Sequence, residues 1–210
     1  MDTEKSRIEL NKTWEKRIKD SGADFVYFVD ISMFPQEMTD GHNCAVLFGK
    51  ALSKEYIGTL KAGLEPKRKE VFNTERKMDS LSVKFAEMLE AEGYSSVAKL
   101  KTGRFPHKTA ALRAGLGFIG KNNLLVTEKY GCAVMLGKVL TSAPFITTSE
   151  TPKEPQCRDC TICVNVCQSK ALLGKTWSIT TTREEIIVRK QCTLCLKCMV
   201  FCPYTAKYIE

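Results

Sequence analysis

Cys157-x2-Cys160-x2-Cys163-x3-Cys167 and Cys192-x2-Cys195-x2-Cys198-x3-Cys202-Pro203 are two copies of one pattern separated by 24 residues. Each copy sets three cysteines at three-residue spacing and adds a fourth one helical turn later. Eight of the ten cysteines in the 210-residue chain lie in this window of 46 residues, and only Cys44 and Cys132 stand outside it. Residues 2–24 are polar and hold no apolar stretch of the kind a secretory signal needs. Thiols concentrated in this way in a chain without such a signal point to metal rather than to disulfides.

The pattern is the bacterial ferredoxin run, which carries two [4Fe–4S] clusters. Three thiolates on one tight loop reach three corners of a cubane. The fourth, entering the next helix, reaches the other cluster. The spacing therefore predicts one set of Cys157, Cys160, Cys163 and Cys202, and a second set of Cys192, Cys195, Cys198 and Cys167. Two zinc sites are the competing reading, but zinc modules usually present ligands as separated pairs rather than three to a seven-residue loop. Gln168 stands where the first run would carry its proline, which removes no ligand. Adjoining clusters of this kind pass single electrons.

Working outward, residues 149–156 hold Pro152 and Pro155 and no large apolar side chain, a linker composition. We expect an α+β domain over 1–150 and a double-cluster domain over 151–210. Residues 3–20 read as an amphipathic helix, 23–31 and 43–48 as strands, 66–92 as the longest helix, and 96–101 as a strand. A short helix is expected over 108–114 and two further strands over 123–127 and 132–140. No apolar run approaches the ~20 residues of a membrane span, so a cytoplasmic protein is expected. At 43% hydrophobic and 27% charged, the composition excludes general disorder. The formal charge is +8, which two loaded clusters would lower to about +4. That weakens the case for nucleic acid.

Gly115-x-Gly117-x-x-Gly120 has the spelling of a dinucleotide loop, but it follows a helical stretch and lacks the acid about 20 residues on. Cys44 and Cys132 sit in apolar runs and read as core residues. His107 precedes the glycine-rich segment and is a candidate proton donor near neutral pH.

Residues 107–122, ending Arg113-Ala114-Gly115-Leu116-Gly117-Phe118-Ile119-Gly120-Lys121-Asn122, resemble the R-A-G-L-G-W-I-G-K-N signature of epoxyqueuosine reductases. Leu136-Gly137-Lys138-Val139-Leu140-Thr141-Ser142-Ala143-Pro144 resembles the L-G-E-I-x-T-D-x-P stretch of the same family, and the double ferredoxin segment follows in the family's order. Reductive dehalogenases share a weaker version of this architecture. The resemblance implies a nitroreductase-like-derived α+β domain that binds cobalamin. Gly115, Gly117 and Gly120 would lie against the corrin, with Lys121 and Asn122 supplying polar contacts. It also implies cluster-fed reductive cleavage of a C–O or similar bond, and an external electron donor of flavodoxin or ferredoxin type. The substrate would be a small molecule or a modified nucleoside. Two departures point away from tRNA. Lys101-Thr102-Gly103 places lysine where the family has its donor aspartate, making Lys101 the alternative to His107, and the helical repeats of long members are missing after Glu210. The competing functions are a ferredoxin-type carrier that docks a partner enzyme, and a tRNA epoxyqueuosine reductase proper.

Overall fold

Trp14 and Ile18 lie on one side of helix α1 (Glu4–Asp20) and are buried, so the helix is anchored along a narrow apolar stripe. The computed structural model describes residues 4–64, 69–98 and 105–210. Strand β1 (Phe25–Asp30) pairs antiparallel with β2 (Cys44–Ala51), Phe25 opposite Gly49 and Asp30 opposite Cys44. The connection between them carries a short helix, α2 (Gln36–Thr39). Counting β3 (Ser96–Val97) and β6 (Val134–Thr141), the sheet order is β1-β2-β6-β3. Against it lies the long helix α4 (Lys69–Ala91), burying Met78, Phe85 and Leu89. Gly137 is required in β6 because a Cβ there would sit 2.5 Å from the Phe48 ring.

The chain divides into two compact units. One comprises 1–50, 71–115 and 135–151, and the other 51–70, 116–134 and 152–210. The division does not run linearly. One boundary falls at Thr151, beside the expected split, but two inner segments of the N-terminal part group with the cysteines.

Those segments carry a helix and a strand absent from the sequence reading, the strand paired with the one expected over 123–127. Helix α3 (Lys54–Lys61) starts at Ser53, whose side chain accepts from the Tyr56 N–H and donates to the Glu70 carboxylate. Strand β4 (Gly117–Ile119) forms a hairpin with β5 (Leu125–Thr127). In the cysteine segment, α6 (Ile162–Asn165), α7 (Lys197–Val200) and α8 (Pro203–Ile209) are short, and α3 packs against both α7 and α8. Tyr208 at the end of α8 donates to the Leu52 carbonyl at 2.9 Å. The borrowed helix and hairpin supply apolar surface that some 60 residues of loops and single turns lack.

Helix α5 (His107–Arg113) lies where the sequence placed it. The expected strand over 96–101 is seen only as Ser96–Val97, with Ala98 already in a bend, and 99–101 and the expected start of the long helix at 66–68 lie outside the described residues. Among the described residues no helix is long and apolar enough to cross a membrane.

Candidate functional site

Each cysteine loop runs into a short helix, and its backbone takes conformations that side chains resist. Arg158, Leu194 and Leu196 have φ of 41°, 55° and 64°. Left-handed residues curl a loop tightly and turn its amides inward, the geometry of an anion-binding concavity. All eight thiols are free, with Cys163 and Cys202 buried and Cys195 exposed.

The electrostatics of the thiols sort them. Burial pushes Cys163 up to about 11, followed by the fields of Cys157, Cys202 and Cys160. Cys157 is raised by burial, opposed by a hydrogen bond from the Lys121 N–H, and then by the fields of Cys202 and Cys160. Burial pushes Cys198 up to about 12, with Cys195, Cys163, Cys192 and Cys167 acting on it in that order. Each central thiol thus feels the three partners that the spacing assigns to its set. Cys163 also acts on Cys198, so the two sets adjoin. Neutral thiols crowded in this way become thiolates only when cations join them, which suits the donor set to iron. Among the described residues no three Cys, His, Asp or Glu side chains converge tightly enough for one metal ion.

At two of the sulfurs hydrogen bonds outweigh burial. Burial alone would raise Cys167, but the Ser169 hydroxyl and the N–H groups of Leu172, Ala171 and Ser169 outweigh it and hold the thiol below its ordinary value. Cys202 is brought down to about 7, chiefly by a hydrogen bond from the Cys132 thiol, with the N–H groups of Tyr204 and Thr205 contributing.

The glycine-rich segment differs from expectation. A Cβ on Gly117 would lie 2.0 Å from the Val126 carbonyl oxygen, and one on Gly120 would lie 2.6 Å from Asn122 Oδ1. Gly115, with φ +69°, faces the Glu150 carboxylate. These α-carbons are closed off by their own chain, so they offer no cradle for a corrin ring. Lys121 and Asn122 are likewise engaged elsewhere. Lys121 Nζ donates to the Arg158 carbonyl at 2.6 Å, and Asn122 Nδ2 to the Cys198 carbonyl at 3.1 Å. The segment that reads as a cofactor loop is a β-hairpin whose turn braces the cysteine loops. It opens no helix, as the sequence reading anticipated for a nucleotide.

His107 is the first residue of α5, with its ring edge-on to Phe105 at 5.6 Å. Burial lowers it to about 4, the charge of Lys138 lowers it further, and only the Phe105 backbone opposes. Burial and the Lys138 charge thus favour the neutral imidazole. Lys101, the other candidate donor, lies outside the described residues. Cys44 is a buried core thiol, pushed up to about 12 by burial and by Asp30. Cys132 is buried as expected, but it touches Cys202 and Asn122, a role no sequence spacing signals.

No family model matches the chain. Among curated proteins, the epoxyqueuosine reductase of Lactococcus garvieae is 40% identical over 84 residues, which is 40% of this chain and 23% of that protein. An epoxyqueuosine reductase solved with an epoxyqueuosine-modified tRNA stem loop superposes with a TM-score of 0.62 at 17% identity, covering 95% of this chain and 66% of the other. A reductive dehalogenase whose structure suggested a mechanism for B12-dependent dehalogenation gives 0.60 at 20% identity, over 71% of this chain and 24% of the other. The chain thus spans only part of the proteins it matches. Over part of its sequence the chain is similar to epoxyqueuosine reductases, and its fold is similar to theirs.

Proposed function

We propose that this chain is an iron–sulfur reductase that cleaves a C–O bond of the epoxide type. The observation that carries the reading is the crosswise sorting of eight thiols into two sets, in a chain related to epoxyqueuosine reductases. Cys157, Cys160, Cys163 and Cys202 would hold one [4Fe–4S] cluster, and Cys192, Cys195, Cys198 and Cys167 the other. Such clusters supply single electrons at low potential. The chain's own groups serve them in three ways. The left-handed loop residues and helix-start amides aim N–H groups at sulfur, Lys121 and Asn122 hold the loops in place, and burial of Cys163 and Cys202 keeps water from the first set. Exposed Cys195 leaves the second loop open to an external donor of flavodoxin or ferredoxin type.

A corrin partner is proposed from the B12-dependent relative alone. The glycines named for it fit poorly, so no step is assigned to it. We place the bond-cleaving chemistry in segment 1–150 and the clusters in 151–210. For the substrate, the relative solved with a modified tRNA stem loop favours tRNA. Epoxyqueuosine in tRNA is therefore the first substrate to test, in place of the small molecule that the sequence departures suggested.

Anaerobic reconstitution with iron, sulfide and cobalamin tests the reading. About eight irons per chain, corrin absorbance surviving gel filtration, and conversion of epoxyqueuosine in a tRNA stem loop with a low-potential donor are expected. Clusters without corrin or turnover would leave an electron carrier. Fewer than about four irons would sink the cluster assignment.

A further inference from the structure

Among the described residues Lys121 is the only charged side chain that is buried, at 8% exposed. It stands in the turn of the β4–β5 hairpin. There the Gly120 N–H donates to the Leu124 carbonyl at 2.9 Å, and the N–H of left-handed Asn123 (φ 59°) donates to the Gly120 carbonyl at 2.8 Å. The side chain reaches the first cysteine loop, where Nζ donates to the carbonyl of Arg158, the residue after Cys157, at 2.6 Å. Asn122 beside it donates to the Cys198 carbonyl at 3.1 Å, so the turn is tied to both cysteine loops. Among the described residues no carboxylate forms an ion pair with the Lys121 ammonium. A carbonyl satisfies one of its hydrogen bonds but carries no net charge. Lysine is almost never buried unless paired, and a buried cation without an anion is costly. The protein's own side chains therefore leave this charge uncompensated, one residue along from a candidate cluster ligand.

We infer that Lys121 is the built-in counter-ion of the first cluster, and that its buried positive charge favours both the assembly of that cluster and its reduced form. This rests on the reading of Cys157 as a ligand. Four thiolates around an oxidised [4Fe–4S] core carry about 2− in total, and one added electron makes that about 3−. A fixed positive charge attracts the second state more than the first, and does so more strongly in a protein interior than in water. Net charge around a cluster is a recognised lever on its potential. Burial raises the Cys157 thiol, while the Lys121 N–H and the Lys121 charge both oppose it, in keeping with a cation set beside an anionic sulfur.

The test is an anaerobic redox titration of the reconstituted full chain, followed by EPR and with iron assayed, for wild type, Lys121→Met, Lys121→Gln and Lys121→Arg. Methionine removes the charge and the donor, glutamine removes the charge and keeps a donor, and arginine keeps both. Methionine and glutamine should each move one couple to more negative potential, so that its reduced-to-oxidised ratio at a fixed poise falls about tenfold, equivalent to 59 mV for one electron. The other couple should move less than about threefold, and arginine should keep both within about threefold of wild type. A fall from about eight irons to about four in both neutral variants, with arginine fully loaded, would also support the inference, because charge rather than shape then governs assembly. Unchanged couples in fully loaded methionine and glutamine variants would overturn it. So would a glutamine variant that matches wild type while methionine moves, which would assign the effect to the hydrogen bond. Loss of iron from all three variants would make the residue structural and overturn it too. A wild-type chain that takes up no cluster would sink the function proposed above and this inference with it, whereas two loaded clusters indifferent to the charge would sink this inference alone.

Discussion

In the first unit, stability comes from aromatic packing. Trp14 meets Phe85 and Phe145 edge-on, Phe28 lies 4.4 Å from Phe145 centre to centre, and Phe48 meets Phe85 edge-on. In the second unit the longest helix is α3, and the buried side chains are spread thinly over hairpin, loops and single turns. The first resembles an ordinary two-layer core. In the second, burial and neighbouring thiols raise Cys163 and Cys198, so bound cations would add to its stability. The same chain therefore uses non-directional burial in one place and directed bonds in the other.

The contrast can be broken from either side. The largest effect is expected from Cys198→Ser, which removes a half-buried thiol of the second set. Iron should fall from about eight to about four per chain, by iron assay and cluster absorbance. Full iron content would end the assignment of Cys198 as a ligand. Next, Phe85→Ala should cost about 3–5 kcal/mol in denaturant unfolding, with the iron content of the folded fraction unchanged. Gly117→Ala should cost about 3 kcal/mol, because its methyl overlaps the backbone carbonyl of Val126. Gly115→Ala faces only the mobile Glu150 carboxylate and should cost about 1 kcal/mol for its left-handed backbone. Equal effects at the two glycines would mean the hairpin is not what demands Gly117.

His107 provides a pH handle on the first unit. Its folded value of about 4 lies below the ordinary 6.5. The unfolded chain therefore takes up a proton first as pH falls, and stability present above 6.5 is lost progressively towards 4. The loss should reach about 2–3 kcal/mol, and His107→Gln should abolish it in urea titrations between these pH values. The smallest effect is expected from Lys138→Met. Removing that charge should raise the His107 midpoint seen by NMR, and a fall would show that Lys138 does not act on the ring.

The cysteine spacing is legible because cluster ligation, if these residues perform it, is a local constraint. Three ligands must come from one loop, and the chain writes that as a period of three. The strands and helices of the first unit were legible for a similar reason, since burial of one face imposes periods of 2 and 3.6. Helix α3 was not. It has eight residues and includes Gly58, and a helix so short gains its stability from packing on α7 and α8 rather than from its own propensity. The glycine-rich segment misled because close approach to a backbone and close approach to a ligand demand the same residue, and here the backbone of β5 is the occupant.

Local order in the chain was enough to mark the eight clustered cysteines as candidate ligands and to give the two-layer α and β packing of the first unit. Folding alone decided which segments join the cysteine unit, that His107 is partly buried, that Lys121 and Asn122 brace the loops, and that Cys132 meets Asn122 and Thr205. Each of these depends on residues far apart in sequence, brought together by packing. Burial and field are properties of that packed neighbourhood, with no period along the chain to announce them.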